Sequence, residues 1–78
     1  MITNINKNPK KLKIGLLGFR SNYLINPLHM MGFINFKSIE IDDIDESYDL
    51  VVETGVYNII SNEVLNKPKY GTIGFHES

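Results

Sequence analysis

The feature that most limits the fold is a short apolar run, KIGLLGF, at residues 13–19. The run shows no alternation of polar and apolar side chains, although a strand with one face in water normally alternates. This composition is typical of a strand that is buried on both faces of a parallel sheet. Because parallel strands need crossover connections, the run predicts an α/β fold.

The segment that follows is rich in residues that begin and end helices. Three polar residues can cap a helix, a proline suits its first turn, and a glycine suits the position just past its end. These residues are Ser21, Asn22, Asn26, Pro27 and Gly32. Leu24, Leu28 and Met31 are spaced at i, i+4 and i+7, so they would share one helix face. A short helix that ends before Gly32 is therefore predicted.

Three further strands are predicted from the remaining apolar segments. Residues 34–41 alternate imperfectly, which predicts a second strand with one face partly wet, and the acidic stretch DDIDES then predicts a loop. Leu50–Glu53 forms the centre of a third strand, which Gly55 closes. A fourth short strand begins near Thr72.

A single helical turn is predicted between the third and fourth strands, because Ser61 or Asn62 can cap it and Pro68 ends it. This order of elements predicts a Rossmann-like, doubly wound α/β sheet of about four mostly parallel strands and two short helices. In such sheets ligands bind beyond the carboxyl ends of the strands. Those positions are residues 19–22, Asp42, 54–57 and His76, with Glu53 and Thr54 at the rim.

The chain is short enough to bound the number of domains and metal sites. Its 78 residues allow one domain or part of one, and such a chain buries only about 60 to 65% of its unfolded surface. Lysines concentrate in residues 1–12, which predict a flexible basic segment, and residues 13–78 form the predicted domain. Cysteine is absent and the two histidines, His29 and His76, are too few for structural zinc, so no metal site is predicted.

Charge and hydropathy bear on location and partners. The formal net charge of -1 gives no general attraction for nucleic acid or anionic membrane. The basic start is interpreted as a solvated segment, with contact to an RNA acceptor as the alternative. No apolar run suits a signal peptide or a membrane span, and the lack of cysteine agrees with a reducing compartment. A cytoplasmic protein is expected.

The string GLLGFRSN between strand and helix invites a nucleotide-binding interpretation. Asp42 lies about the right distance beyond Gly18 to meet a ribose hydroxyl. The dinucleotide fingerprint needs three glycines, however, and this segment offers only Gly15 and Gly18. A weak nucleotide-binding, Rossmann-like module therefore remains an alternative function.

From Tyr48 to the end, YDLVVETGVYNIISNEVLNKPKYGTIGFHES resembles the folate-dependent formyltransferase family. In that family a buried strand leads to a glycine and aromatic loop, a short helix, a proline, a glycine and a strand that ends in NxHxS. The matching elements are residues 49–53, Gly55, Tyr57, 63–65, Pro68, Gly71, His76 and Ser78. The earlier KIGLLGFRSNYLINPLHMM is also similar to the family's first strand and helix.

The resemblance implies transfer of a formyl group from 10-formyltetrahydrofolate to a primary amine. By position, His76 would be the catalytic base, Gly55 and Tyr57 would line the folate pocket, and Ser78 would shape the loop. The acceptor would be an aminoacyl-tRNA, a nucleotide precursor or an amino sugar. The resemblance does not choose among these three.

Two departures from the family pattern qualify this expectation. Gly74 stands where the family has an asparagine, and loss of one oxyanion donor costs roughly 3 kcal/mol of transition-state stabilisation. The chain also stops at Ser78, before the family's leucine and proline loop and its later aspartate. We therefore expect the N-terminal portion of an incomplete formyltransferase domain that is inactive alone. An exposed sheet edge would favour a homo-oligomer, and a non-catalytic association module is a further alternative.

Overall fold

The structure is a computed structural model that describes residues 11–56 and 60–74. In chain order the elements are β1 (Ile14–Leu17), α1 (Asn22–Met30), β2 (Phe36–Ile39), a 3₁₀ turn (Ile41–Asp43), β3 (Leu50–Glu53), α2 (Asn62–Leu65) and β4 (Thr72–Gly74). Most of the predicted flexible segment, residues 1–12, lies outside the described ranges.

The strands form one parallel sheet with the order β2-β1-β3-β4. Ile14 pairs with Phe36 of β2 on one side and with Leu50 of β3 on the other. All four residues of β1 are buried, as expected for an apolar strand at the centre of a parallel sheet. The predicted α/β sheet of four strands and two short helices is confirmed.

The core has one layer on each face of the sheet. Leu24 and Leu28 of α1 pack on the first face, whereas Val64 of α2 packs on the second. The buried residues of the first layer are Leu12, Ile14, Leu16, Leu50 and Val52, and those of the second are Leu17, Ile39, Ile44, Tyr48 and Val51. The packed core thus begins at Leu12, which is the last residue of the predicted flexible segment.

Helix α1 differs from its prediction in the place of Pro27 and in the burial of Met31. It begins at Asn22, so Pro27 lies inside the helix rather than in its first turn. Ser21 occupies the cap position without a capping bond, because its hydroxyl donates to the Gly18 carbonyl at 2.6 Å. Met31 does not share the packing face with Leu24 and is 69% exposed. Met31 is the last residue with helical backbone, its N–H donating to the Pro27 carbonyl at 3.1 Å, but its side chain lies in solvent.

The end of α1 is a Schellman motif. The Gly32 N–H donates to the His29 carbonyl at 3.1 Å, and the Phe33 N–H donates to the Leu28 carbonyl at 3.0 Å. Gly32 has a φ of +97°, which confirms the predicted glycine just past the helix. Phe33 then packs against the core layer that Leu28 also contacts, taking the place predicted for Met31.

The second strand is shorter than predicted. It covers Phe36–Ile39, and Ile34 is 65% exposed. The acidic loop contains the 3₁₀ turn, whose start is closed by reciprocal bonds between Glu40 and Asp43. Strands β2 and β4 are the edges of the described sheet, and self-association through an edge stays a prediction. Within the described ranges, no helix combines the length and the apolar character needed to cross a membrane.

Candidate functional site

The two central strands define the place where a ligand is expected. Strand β2 pairs with one edge of β1, whereas β3 pairs with the opposite edge of β1 and β4 lies beyond β3. The chain thus builds the sheet outward from β1 in both directions. In α/β proteins such a change of direction opens a crevice at the carboxyl ends of the central strands, and ligands bind there. The loops that begin at Gly18 and Thr54 therefore form the candidate site.

These two loops are bonded directly to each other. The backbone N–H and the hydroxyl of Thr54 both donate to the Leu17 carbonyl, at 2.7 and 2.9 Å. The Phe19 N–H donates to the Gly55 carbonyl at 3.1 Å. Because Thr54 is buried, these bonds hold the base of the site in place.

The close approach of the loops depends on glycine. Gly18 and Gly55 have φ values of +113° and +127°, a backbone conformation that residues with a side chain rarely adopt. A Cβ at Gly18 would lie 2.5 Å from the Gly55 carbonyl oxygen, and one at Gly55 would lie 2.6 Å from Cε1 of Phe19. Backbone atoms of Gly55 leave no room for a side chain at Gly18, whereas a side chain at Gly55 would displace the exposed Phe19 ring. The Gly55 N–H donates to the Glu53 carboxylate at 2.8 Å.

An open groove of about 430 Å³ lies beside this crevice, over the ends of β1, β2 and β3. Five apolar side chains, three polar side chains and two glycines line it. The walls are Leu17, Phe19, Ile39, Ile41 and Val56, the polar residues are Ser38, Glu40 and Asp43, and the glycines are Gly18 and Gly55. Sequence reasoning did not single out Glu40, although a carboxylate directly after a strand was an available signal.

A second groove of about 390 Å³ lies beside the acidic loop, and it contains Asp42. The nucleotide-binding interpretation expected Asp42 at the ligand crevice, whereas the first groove is lined by Glu40 and Asp43 instead. The second groove is crossed by Lys13, whose Nζ lies 2.9 Å from Ser47 Oγ and 4.4 Å from the centroid of the Tyr48 ring. Both lysines and aspartates line this groove, so its described lining has no single sign of charge.

Ser47 lowers the pKa of Asp45 in this second groove. Its hydroxyl and its backbone N–H both donate to the Asp45 carboxylate, which favours the charged form. Because the folded-state pKa is depressed, the linked stability is present above the unfolded pKa and is lost as pH falls through the folded value. Ser47→Ala should raise the pKa of Asp45 without fully restoring it, since the backbone donor remains.

The measurement is a carbon-detected NMR titration of the Asp45 carboxyl in both proteins. Asp42 provides an internal reference within the same spectrum. An unchanged pKa of Asp45 in Ser47→Ala would mean that the hydroxyl does not stabilise the carboxylate.

The residues predicted from the family resemblance divide between described and undescribed parts of the chain. Gly55 lies at the crevice, and Gly74 ends β4 in register with Glu53. Tyr57, His76 and Ser78 lie outside the described residues. His29 is exposed on α1. In the part of the chain that the structure describes, no group of three or more histidine, cysteine or acidic side chains could hold a metal ion.

Comparisons with known protein families, with curated proteins and with solved structures found no match to this chain. Two structural features bear on function: the order of β1, β3 and β4 in the sheet, and the crevice between β1 and β3.

Proposed function

We propose that the chain is the N-terminal part of a formyltransferase domain that transfers a formyl group from 10-formyltetrahydrofolate to a primary amine. The observation that supports this most is the pairing of β3 with β4. In the family pattern, the strand before the glycine and aromatic loop and the strand before the histidine must deliver their residues to one site. Here Glu53 and Gly74, at the carboxyl ends of those two strands, are paired neighbours.

The proposed chemistry assigns the proton transfer to His76. Attack of an amine on the formyl carbon creates a tetrahedral intermediate with a developing oxyanion. A base must remove a proton from the attacking nitrogen, and an acid must return one to the leaving nitrogen of the folate. A histidine suits both steps because it gains and loses a proton near neutral pH.

Gly55 would contribute to the folate pocket through its shape. Its N–H already donates to the Glu53 carboxylate, so it has no backbone donor left for a ligand. The lack of a side chain lets the Phe19 ring lie against Gly55, where a Cβ would come within 2.6 Å of Phe19 Cε1. Tyr57 would form the adjoining wall, by resemblance alone. A cytoplasmic location is part of the same proposal and rests on the absence of cysteine.

The test uses protein expressed from the whole reading frame that encodes these residues. Purified protein is incubated with 10-formyltetrahydrofolate and one acceptor of each class: an aminoacyl-tRNA, a nucleotide-precursor amine and a nucleotide-linked amino sugar. Mass spectrometry detects the formylated amine, and absorbance follows release of tetrahydrofolate. Formylation of one acceptor class supports the proposal and names the acceptor.

Two outcomes of this experiment count against the proposal. One is that none of the acceptors is formylated although the folate is intact. The other is a reading frame that encodes no leucine and proline loop and no aspartate after Ser78, because the family's catalysis needs both. The 78 residues expressed alone serve as the comparison and are expected to give no turnover.

A further inference from the structure

The groove of about 430 Å³ at the ends of β1, β2 and β3 has the size of a small-molecule site. Such sites typically measure about 300 to 1,000 Å³ and combine apolar walls with a few convergent polar groups. Here five apolar side chains form the walls, and the carboxylates of Glu40 and Asp43 stand at one end. The ligand should therefore have a flat apolar part and a polar part rich in hydrogen-bond donors.

The charge of the groove argues for an uncharged ligand. Its described lining residues include two carboxylates and no lysine or arginine. A phosphate placed there would be repelled by the two carboxylates, whereas the Arg20 guanidinium stacks on Phe19, 5.1 Å from the ring centroid. An amine would be attracted only weakly, because Glu40 is exposed and water screens its charge. Directional hydrogen bonds therefore decide which ligand fits.

The turn at the groove is closed by two backbone donors. The Glu40 N–H donates to the Asp43 carboxylate at 2.9 Å, and the Asp43 N–H donates to the Glu40 backbone carbonyl at 3.0 Å. These bonds fix the backbone of Glu40 and leave its carboxylate, which offers about four lone-pair sites, able to accept from a ligand. A carboxylate on a fixed backbone suits a pair of neighbouring hydroxyl groups.

The position of Glu40 agrees with this chemistry. It directly follows β2, whose last residue Ile39 pairs with Leu17 at the end of β1. Glu40 thus stands at the carboxyl edge of the sheet, beside the loop that begins at Gly18. In a doubly wound sheet an acidic residue at this place can accept hydrogen bonds from ribose hydroxyls.

We propose that this groove binds an uncharged nucleoside, with its base against the apolar walls and its 2′ and 3′ hydroxyls donating to Glu40. The site goes beyond formyl transfer, because binding of a nucleoside can be measured whether or not the protein transfers a formyl group. Phe19, which is 58% exposed at the groove, supplies the largest apolar surface for the base.

The first experiment varies the ligand and leaves the protein intact. Amide shifts of the ¹⁵N-labelled full chain are followed by NMR during titration with adenosine, with 2′,3′-dideoxyadenosine and with adenosine 5′-monophosphate. Adenosine should shift the amides of Gly18, Glu40 and Gly55. Loss of both hydroxyls should weaken binding about tenfold or more, because hydrogen bonds to a charged acceptor are lost. The 5′-phosphate should bring no gain.

The second experiment compares two carboxylates of the same turn. Glu40→Gln leaves the bond from the Asp43 N–H to the backbone carbonyl of residue 40 in place, so the turn should survive. It should weaken adenosine about tenfold and leave dideoxyadenosine nearly unchanged. Asp42→Asn removes the same charge outside this groove and should leave the affinity for both nucleosides unchanged.

Three results would overturn the proposal. Equal affinity for adenosine and dideoxyadenosine would show that the hydroxyls are not recognised. Tighter binding of the monophosphate would show that the groove prefers an anion. An effect of Glu40→Gln no larger than that of Asp42→Asn, or no shift at the three amides, would remove Glu40 and the groove from the binding site.

Discussion

Gly18→Ala should destabilise the fold by about 3 kcal/mol or more, because two costs coincide at this position. The backbone of Gly18 has a φ of +113°, where an L side chain is strained. An added Cβ would also lie 2.5 Å from the Gly55 oxygen and 2.9 Å from the hydroxyl oxygen of Thr54. Neither neighbour can move cheaply, since Gly55 contributes backbone atoms and Thr54 is buried and bonded to Leu17.

Gly32→Ala is the matched control for this prediction. Gly32 also has a positive φ, of +97°, but a Cβ there would meet no atom within 4 Å. Its substitution should therefore cost only the conformational term, about 1 kcal/mol. The difference between the two variants isolates the contact between the β1 and β3 loops.

Urea unfolding followed by circular dichroism measures both variants, with the slope of the free energy checked for constancy. Folded domains have a free energy of unfolding of roughly 5 to 15 kcal/mol, so Gly18→Ala, measured in protein from the whole reading frame, should lower the urea midpoint strongly or leave this domain unfolded in buffer. Equal losses for Gly18→Ala and Gly32→Ala would show that the loops do not touch as closely as described.

The strands were the part of the fold that sequence could predict, for a physical reason. The run at residues 13–19 is apolar throughout, so burial on both faces of a parallel sheet was the natural solution. Leu50–Glu53 and the glycine after it carry the same signal, and Ser61 caps α2 as predicted, with its Oγ accepting from the Val64 N–H at 3.3 Å. In each case the information lies within a few neighbouring residues.

The start of α1 could not be predicted, because several residues were equally good caps. The residue at which the helix begins depends on Ser21, whose hydroxyl donates to the carbonyl of Gly18 instead of accepting from a helix N–H. That bond belongs to the turn after β1, where Gly18 packs against Gly55 and the Phe19 N–H donates to the Gly55 carbonyl. The start of α1 is thus set by a contact between residues 37 positions apart in sequence. The pattern of neighbouring residues carries no information about that contact.

The candidate groove shows the same limit. Its position at the carboxyl edge was expected from the fold class, and Gly55 lies there as predicted. The choice between Asp42 and Glu40 was not predictable, because it depends on where β2 ends. Pairing of Ile39 with Leu17 fixes that end, and the 3₁₀ turn then directs Asp42 to the second groove. Register between strands is a property of the folded sheet.

Replacement of His76 should have the largest effect on the proposed reaction. Loss of a general base and acid typically lowers the rate by about 10² to 10⁴, so His76→Ala should reduce kcat of formyl transfer by a factor in that range. KM for the folate should change little, because the imidazole would act on protons and not on the pterin ring. The assay uses the protein from the whole reading frame and the acceptor that the first experiment identifies.

Two readouts separate proton transfer from a structural role of His76. Removal of a titrating base should also remove the limb of the pH–rate profile that this base causes, and added imidazole should restore part of the turnover. His29→Ala is the control, because it removes the other histidine of the chain, which lies exposed on α1, and it should keep both kcat and the profile. Unchanged turnover in His76→Ala would exclude the assigned role. Lower turnover with an unchanged profile, no rescue and a reduced melting temperature would mean that His76 acts through stability, and the proton transfer would then belong to another group.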